Sequence, residues 1–333
     1  MESQTNKPTI ADVGRLSGVS PATVSRVLNH KSIVKGETYE RVLAAIRELG
    51  YPFNEYGAEA EPQNGPILFN LNSLDNPFFS EVVMSAKATA SRYNHNLLIN
   101  EEEIRRSNVQ NIIDLARKIN AAGMILTDTV DAYLLERLSD ALPIVQCCEC
   151  NEEMDISFVS INDVAASKSI MRHLIATGCR RIAFLGGHNN RKCVRHRLLG
   201  YQESLQEAGL YEDAGMKIML SDHNFEMAVA GCMQLLGSSN PPDAFFAASD
   251  VFAFAAVRAA HLTGFRVPQD VKVTGFDNIR HAIMSVPSIT TVNQPRTQLG
   301  SASCELLIEK IKFPDTPAKK MILETELILR ESA

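Results

Sequence analysis

Residues 9–29 read TIADVGRLSGVSPATVSRVLN. Thr9 can cap a helix through its side-chain oxygen, and Ile10, Val13 and Leu16 recur at helical spacing, giving one apolar stripe and a polar back. Gly18 suits the left-handed conformation that ends a helix. Ser20 then caps a second helix with Pro21 at its first position, where a missing N–H costs nothing. In that helix Val24, Val27 and Leu28 are expected inward, and Ala22, Thr23, Ser25, Arg26 and Asn29 outward. Short outer side chains let a helix sit deep in a DNA major groove. A purely structural hairpin would carry longer helix formers such as Leu, Glu and Lys there.

A third helix is expected over 37–49, where Val42, Leu43, Ile46 and Leu49 make a stripe that closes a three-helix core. The whole chain has 33 basic and 39 acidic residues, a formal net charge of -6, which argues against a protein coated in nucleic acid. Charge is unevenly placed, however. Residues 1–50 hold Lys7, Arg15, Arg26, Lys31, Lys35, Arg41 and Arg47 against Glu2, Asp12, Glu37, Glu40 and Glu48, so the positive end is the helix-turn-helix end.

A chain of 333 residues, 45% of them hydrophobic, is too long for one ordinary domain, so a small head and larger lobes are expected. The opening MESQTNKPTI lacks a charged region followed by an apolar one, and no run of 18 apolar residues occurs. A cytoplasmic protein without a membrane partner is expected. Seven cysteines, an odd number, suit reduced thiols rather than a disulfide framework. In CCEC (147–150), Cys148 and Cys150 would share one face of a strand and Cys147 the other, so a closed thiolate site needs an irregular turn. Buried small residues are the expected account, and no metal or cofactor is called for.

Residues 54–66, NEYGAEAEPQNGP, carry two prolines, two glycines and no positive charge, and read as a linker. Beyond them, short apolar runs alternate with longer amphipathic ones. Strands are expected at 67–71, 96–99, 124–127, 144–146, 158–161, 181–185, 217–220, 244–247, 271–275 and 322–329, with helical patterns between most of them. Such alternation means parallel sheets with helices on both faces, and about ten strands exceed one comfortable sheet. Two doubly wound α/β lobes are therefore expected, with a ligand cleft at the carboxyl ends of their strands.

The residues after those strand ends carry candidate chemistry. Asp75 and Asn76 precede Phe78 and Phe79, pairing hydrogen-bonding groups with flat apolar surfaces, which suits a sugar. Arg195 and Arg197 stand near a helix start, where the dipole does not favour them, so they are expected to hold a ligand or an acidic partner across the cleft. Ser249, Asp250 and Asp277 follow strand ends and can cap a helix while also accepting from a ligand.

The head, RVLAAIRELGY, DNPFF, RHRLLGYQESLQEAGL, VTGFDN and PSITTVNQP together resemble the lactose-repressor/galactose-repressor (LacI/GalR) family of bacterial transcription regulators, in order along essentially the whole chain. The resemblance implies an all-α helix-turn-helix head (1–53), a hinge or linker (54–65) and a periplasmic-binding-protein-like two-lobed effector domain (66–333). Lobe 1 would comprise about 66–161 and 292–322, and lobe 2 about 162–291 and 323–333, with crossovers near Asn162, Thr291 and Leu323. It also implies a homodimer on double-stranded operator DNA with a sugar or sugar phosphate as effector. No leucine heptad follows the last strand before Ala333, so a dimer rather than a tetramer is expected.

Carried over by position, Thr9, Ser20, Thr23, Ser25 and Asn29 would contact phosphate, while Pro21, Ala22 and Arg26 would face base edges. Leu74, Asn76, Phe78, Phe79, Cys148, Cys193, Arg197, Phe225, Ser249, Asp277 and Arg296 fall where the family places effector contacts. The family often has Asp at Cys148 and Asn at Ser249. In the linker, relatives carry an Ala-Arg-Ser-Leu type hinge helix whose leucine wedges into the minor groove. The matching residues here are Gly57, Ala58, Glu59 and Ala60, and Glu55, Glu59 and Glu61 would be repelled by phosphate. This chain is therefore expected to bend its operator little and bind it more weakly than its relatives do, and effector is expected to change that affinity less.

A repressor of bacterial carbohydrate-utilisation genes is the expected function. A sugar-binding protein without transcriptional role would share the lobes but lack the head. An enzyme is not expected, since no nucleophile, base and orienting group converge.

Overall fold

The structure is a computed structural model that describes residues 8–29, 36–49, 51, 64–71, 76–188, 190–221 and 224–333, with Leu28 and Asn29 as backbone alone. The chain divides into two compact units, Met1–Gln63 and Asn64–Ala333. The linker motif at 54–63 lies outside the described residues.

The first unit contains α1 (Ile10–Ser17), α2 (Pro21–Asn29) and α3 (Gly36–Leu49). Thr9 and Asp12 form a reciprocal capping box: the Asp12 N–H donates to Thr9 Oγ1, and the Thr9 N–H donates to the Asp12 carboxylate at 2.9 Å. Gly18 ends α1 at φ 69°. The Thr23 N–H donates to Ser20 Oγ at 3.1 Å, so Ser20 caps α2 as its position predicts. Val13, Val24, Val27, Val42, Leu43, Ala45 and Ile46 fuse into one core.

Leu16 departs from the predicted stripe and is 45% exposed. The packed face of α1 is centred on Val13 and Gly14, which brings in Ser17, four residues on, and leaves Leu16 to the side. The Ser17 hydroxyl is satisfied by donating to the Val13 carbonyl at 2.6 Å. A Cβ at Gly14 would stand 2.9 Å from the Val19 carbonyl oxygen, so the close turn into α2 requires glycine there.

The second unit opens with β1 (Asn64–Asn70), α4 (Phe78–Arg92), β2 (His95–Asn100), α5 (Val109–Lys118), β3 (Gly123–Leu126), α6 (Ala132–Ser139), β4 (Ile144–Cys147) and β5 (Phe158–Ile161). The chain then crosses to a second lobe with α7 (Asp163–Ala176), β6 (Ile182–Gly186), α8 (Lys192–Glu207), β7 (Lys217–Met219), α9 (Phe225–Leu236), β8 (Ala244–Ala247) and α10 (Asp250–Thr263). That lobe continues through β9 (Lys272–Asp277), α11 (Arg280–Met284) and β10 (Thr290–Asn293). It returns as α12 (Arg296–Lys312) and β11 (Lys320–Leu323), and β12 (Glu326–Ile328) closes the second sheet.

The two six-stranded sheets run β11-β5-β4-β3-β1-β2 and β12-β10-β9-β8-β6-β7. Every pairing is parallel except β10 with β12. Side chains divide with period two between the faces. In the first sheet Ile67, Phe69 and Ile125 pack beneath α4 and α12, while Leu68, Met124 and Leu126 face α5 and α6. In the second, Ala183, Leu185 and Phe245 pack under α9 and α10, while Ile182, Phe184 and Phe246 face α7 and α8. This is the doubly wound, two-lobed α/β architecture that the alternation predicts.

Three details differ from the sequence-based expectation. β10 is an additional strand, and it carries the second crossing past Thr291 to beyond Asn293 because Thr290–Asn293 pair with β9. The single strand expected at 322–329 is two, β11 in one sheet and β12 in the other, split where the chain crosses. α8 begins at Lys192, three residues before the expected Arg195.

Candidate functional site

A cavity of about 60 Å³ lies between the lobes at the carboxyl ends of both sheets. Of the effector residues expected from sequence, Asn76, Phe78, Phe79, Cys148, Cys193, Arg197, Ser249 and Asp277 line it. Leu74 and Asp75 lie outside the described residues. Phe225, Asp250 and Arg296 do not line it. Phe225 packs at the margin of the α9–α10 core. Asp250 is fully buried, accepting from the Ile279 N–H at 2.8 Å and the Thr291 hydroxyl at 2.6 Å. Arg296 is engaged by Glu81 at 3.0 Å and by the carbonyls of Asp277 and Asn278, so it ties the lobes together rather than facing a ligand.

Asn76 Oδ1, just before α4, accepts from the Phe78 N–H at 3.0 Å, which leaves its amide N–H groups for other partners. Phe78 and Phe79 meet edge to face, centroids 5.1 Å apart, and present apolar surface to the cavity while packing in the lobe core. Ser249 caps α10, accepting from the Phe252 N–H at 3.3 Å. Asn76 and Ser249 thus line the cavity while each accepts a backbone N–H at a helix start.

Sequence reasoning missed four lining residues with polar or charged side chains, Glu149, Asp163, Arg191 and Gln294, besides apolar ones such as Phe252. Asp163 is the hub of a buried charge network. Its Oδ1 accepts from Arg197 Nε at 2.9 Å and its Oδ2 from Lys192 Nζ at 3.1 Å. Arg197 also donates to the Ala248 carbonyl at 2.7 Å, lies 3.6 Å from Asp277 Oδ1 and stacks its guanidinium 3.6 Å from the Phe276 ring centroid. Its acidic partners therefore sit in its own lobe, not across the cleft as expected, because the earlier start of α8 places Arg197 in the second turn, against α7 and β9.

Asp277 accepts from Gln294 Nε2 at 2.6 Å, and burial pushes its carboxyl up to about 6. Its φ of 111° lies in the left-handed half of backbone space, as does the 70° of Cys148, so two cavity residues hold conformations that cost of order 1–3 kcal/mol each. That turn at Cys148 also corrects the reading of the CCEC run. β4 stops at Cys147, and the thiols of Cys147 and Cys148 lie 3.6 Å apart instead of on opposite faces. Among the described residues no cluster of three or more His, Cys, Asp or Glu could hold a metal ion.

In the first unit, Pro21, Ala22 and Arg26 are exposed along α2, and Thr23 and Ser25 are half-buried beside them. Ser20 Oγ lies 2.9 Å from Thr23 Oγ1. Thr9 is exposed, with its hydroxyl donating to Asp12 at 2.7 Å. The side chain of Asn29 lies outside the described residues.

A helix-turn-helix head joined in one chain to a two-lobed sheet domain with a polar cleft defines a ligand-responsive DNA-binding regulator. Residues 9–54 match the model of bacterial regulatory proteins of the lacI family, and 171–333 match that of the periplasmic binding protein-like domain. The chain is 32% identical to the ribose operon repressor of Halalkalibacterium halodurans, over 97% of this chain and 96% of that protein. It is 30% identical to the HTH-type transcriptional repressor CytR of Escherichia coli, over 99% and 97%. Among solved structures, the transcriptional regulator CelR–cellobiose complex aligns with a TM-score of 0.73 at 29% identity, over 98% of this chain and 100% of that one. The lac repressor dimer bound to operator and an anti-inducer aligns with a TM-score of 0.75 at 25% identity, over 98% and 99%. The chain belongs to the LacI family of bacterial transcription regulators. Its relatives are transcription regulators, not enzymes, and among the described residues no helix is long and apolar enough to cross a membrane.

Proposed function

We propose that this protein is a cytoplasmic homodimeric repressor of carbohydrate-utilisation genes whose operator affinity is set by a sugar or sugar derivative in the interlobe cavity. The observation that carries the effector class is the composition of the cavity wall. Carboxylates and amides able to engage hydroxyls, Asp277, Asn76 and Gln294, stand with Phe78, Phe79 and Phe252, whose apolar surface suits the C–H face of a sugar ring. The related ribose operon repressor and the CelR–cellobiose complex support the same class.

On the DNA side, Pro21, Ala22 and Arg26 read base edges, while Thr9, Ser20, Thr23, Ser25 and Asn29 hold phosphates. Full-length protein is melted in the presence of a panel of pentoses, hexoses and disaccharides, and each hit is then titrated into a complex with operator DNA. A bound sugar at 100 times its dissociation constant stabilises by about 2.7 kcal/mol. A panel in which no sugar raises the melting temperature refutes this effector class.

A further inference from the structure

The first backbone N–H groups of α8 point into the cleft and carry the positive end of the helix dipole, a place suited to a ligand phosphate. In this chain they already have an anion. Glu149, carried by the turn after β4 in the opposite lobe, accepts from the Lys192 N–H at 2.7 Å with Oε2 and from the Cys193 N–H at 3.0 Å with Oε1. The Thr129 hydroxyl donates to the same carboxylate at 2.6 Å, and the side chain is almost fully buried. Burial opposes its charge, yet the bonds from Cys193 and Thr129 hold its carboxyl below the usual range.

The cations around the cavity are likewise paired by the chain itself. Arg197 is held by Asp163 and Asp277, Lys192 by Asp163, and Arg191 stands 3.7 Å from Asp128 of the opposite lobe. Four carboxylates, Asp128, Glu149, Asp163 and Asp277, thus face three cations. A phosphate entering the cavity would have to displace Glu149 from α8 or lie beside it.

We infer that the cavity is built for an uncharged polyhydroxylated effector and excludes its phosphorylated form, and that Glu149 sets this selection as an internal ligand of the α8 N-terminus. The inference rests on the proposal that the cavity holds a sugar-like effector, but its charge rule is testable apart from it.

The test uses full-length protein and two arms. In the first, inorganic phosphate is titrated against potassium chloride at matched ionic strength while thermal stability is read. The parent protein shows no phosphate-specific rise, whereas Glu149→Ala, with the α8 N-terminus open, shows a saturable one. In the second, ribose with ribose 5-phosphate and glucose with glucose 6-phosphate are compared by calorimetry. The ester of whichever sugar binds is at least tenfold weaker in the parent, and Glu149→Gln, which keeps the side-chain shape, narrows that gap severalfold.

Equal affinity for sugar and ester in the parent overturns the inference, as does a folded Glu149→Ala without phosphate response or a Glu149→Gln with the gap unchanged. If Glu149→Ala does not fold, the Glu149→Gln comparison decides. If neither sugars nor esters bind while the phosphate arm behaves as stated, the charge rule stands and the sugar proposal falls.

Discussion

Arg197 Nε of α8 lies 2.9 Å from Asp163 Oδ1 at the start of α7, with 8% and 1% of the two side chains exposed. Asp163 uses its other oxygen for Lys192, and Arg197 uses its Nη1 for a backbone carbonyl, so the pair is embedded in further hydrogen bonds on both sides. A buried pair of this kind adds little over an apolar pair of the same shape, but removing one partner leaves an uncompensated charge. Arg197→Ala is expected to cost about 3–5 kcal/mol of stability in the two-lobed unit and to abolish effector binding. Urea unfolding followed by circular dichroism checks the first, and calorimetry with the identified sugar checks the second. A melt within 1 kcal/mol of the parent would mean that Lys192 alone neutralises Asp163.

Arg26 is exposed in the second turn of α2, beside the exposed Pro21 and Ala22. A base-edge contact from such an arginine contributes about 1–3 kcal/mol of discrimination. Arg26→Ala is expected to lower operator affinity by about one to two orders of magnitude, to erase preference among operator variants at one position, and to leave effector affinity unchanged. Fluorescence anisotropy with a set of operator variants measures both. A uniform loss across all sequences would instead mark Arg26 as a phosphate contact.

The head is largely legible because its signals are local: the Thr9 cap, Gly18, and Ser20 with Pro21 each act within four positions, and only the reciprocal bond from Thr9 to Asp12 is added by the structure. Among the described residues Leu16 is the misplaced one, because its burial depends on which side α2 and α3 pack. The strand alternation gave the doubly wound architecture, yet β10 escaped because TTVN is short and polar and its strand character comes from pairing between β9 and β12. The missed cavity residues share one cause. Glu149 and Asp163 matter through contacts with Cys193, Lys192 and Arg197 some 30 to 45 positions away, which no local pattern encodes. Glu149 also stands between two cysteines in CCEC, a run whose local pattern points to thiol chemistry and not to a carboxylate.

Gly300 sits where α12 crosses α4. A Cβ there would collide with the Val82 carbonyl oxygen and lie 2.9 Å from the Val82 carbonyl carbon and 3.1 Å from the Ala86 nitrogen. These are backbone atoms, so no side-chain rotation relieves the clash and the two helices must separate. Gly300→Ala is expected to lower stability by about 1–3 kcal/mol despite the better helix propensity of alanine. The urea midpoint reads this directly, and an unchanged midpoint would show that α12 can shift without penalty.

Asp250 gives the clearest pH dependence. It is wholly buried, and burial together with the nearby charge of Asp277 pushes its carboxyl up to about 8. A carboxyl raised above its unfolded value of 3.8 is protonated more readily in the native state. Its contribution to stability is therefore fully present below about pH 4 and is lost as pH rises towards 8, at no more than about 1.4 kcal/mol per pH unit. Burial raises Asp128 and Asp277 to about 6 and adds to the slope in the same direction, but only between about pH 4 and 6. Between pH 6 and 8, Asp250 is the carboxylate that distinguishes the variant from the parent. Asp250→Asn supplies a neutral group of the same shape, able to accept from the Ile279 N–H and to donate its amide to Thr291. Thermal melts at pH 6, 7 and 8 are expected to fall with pH in the parent and to stay flatter in the variant, which at pH 8 is at least as stable. Parallel curves for the two proteins would show that Asp250 is ionised throughout this range and that its two hydrogen bonds outweigh its burial.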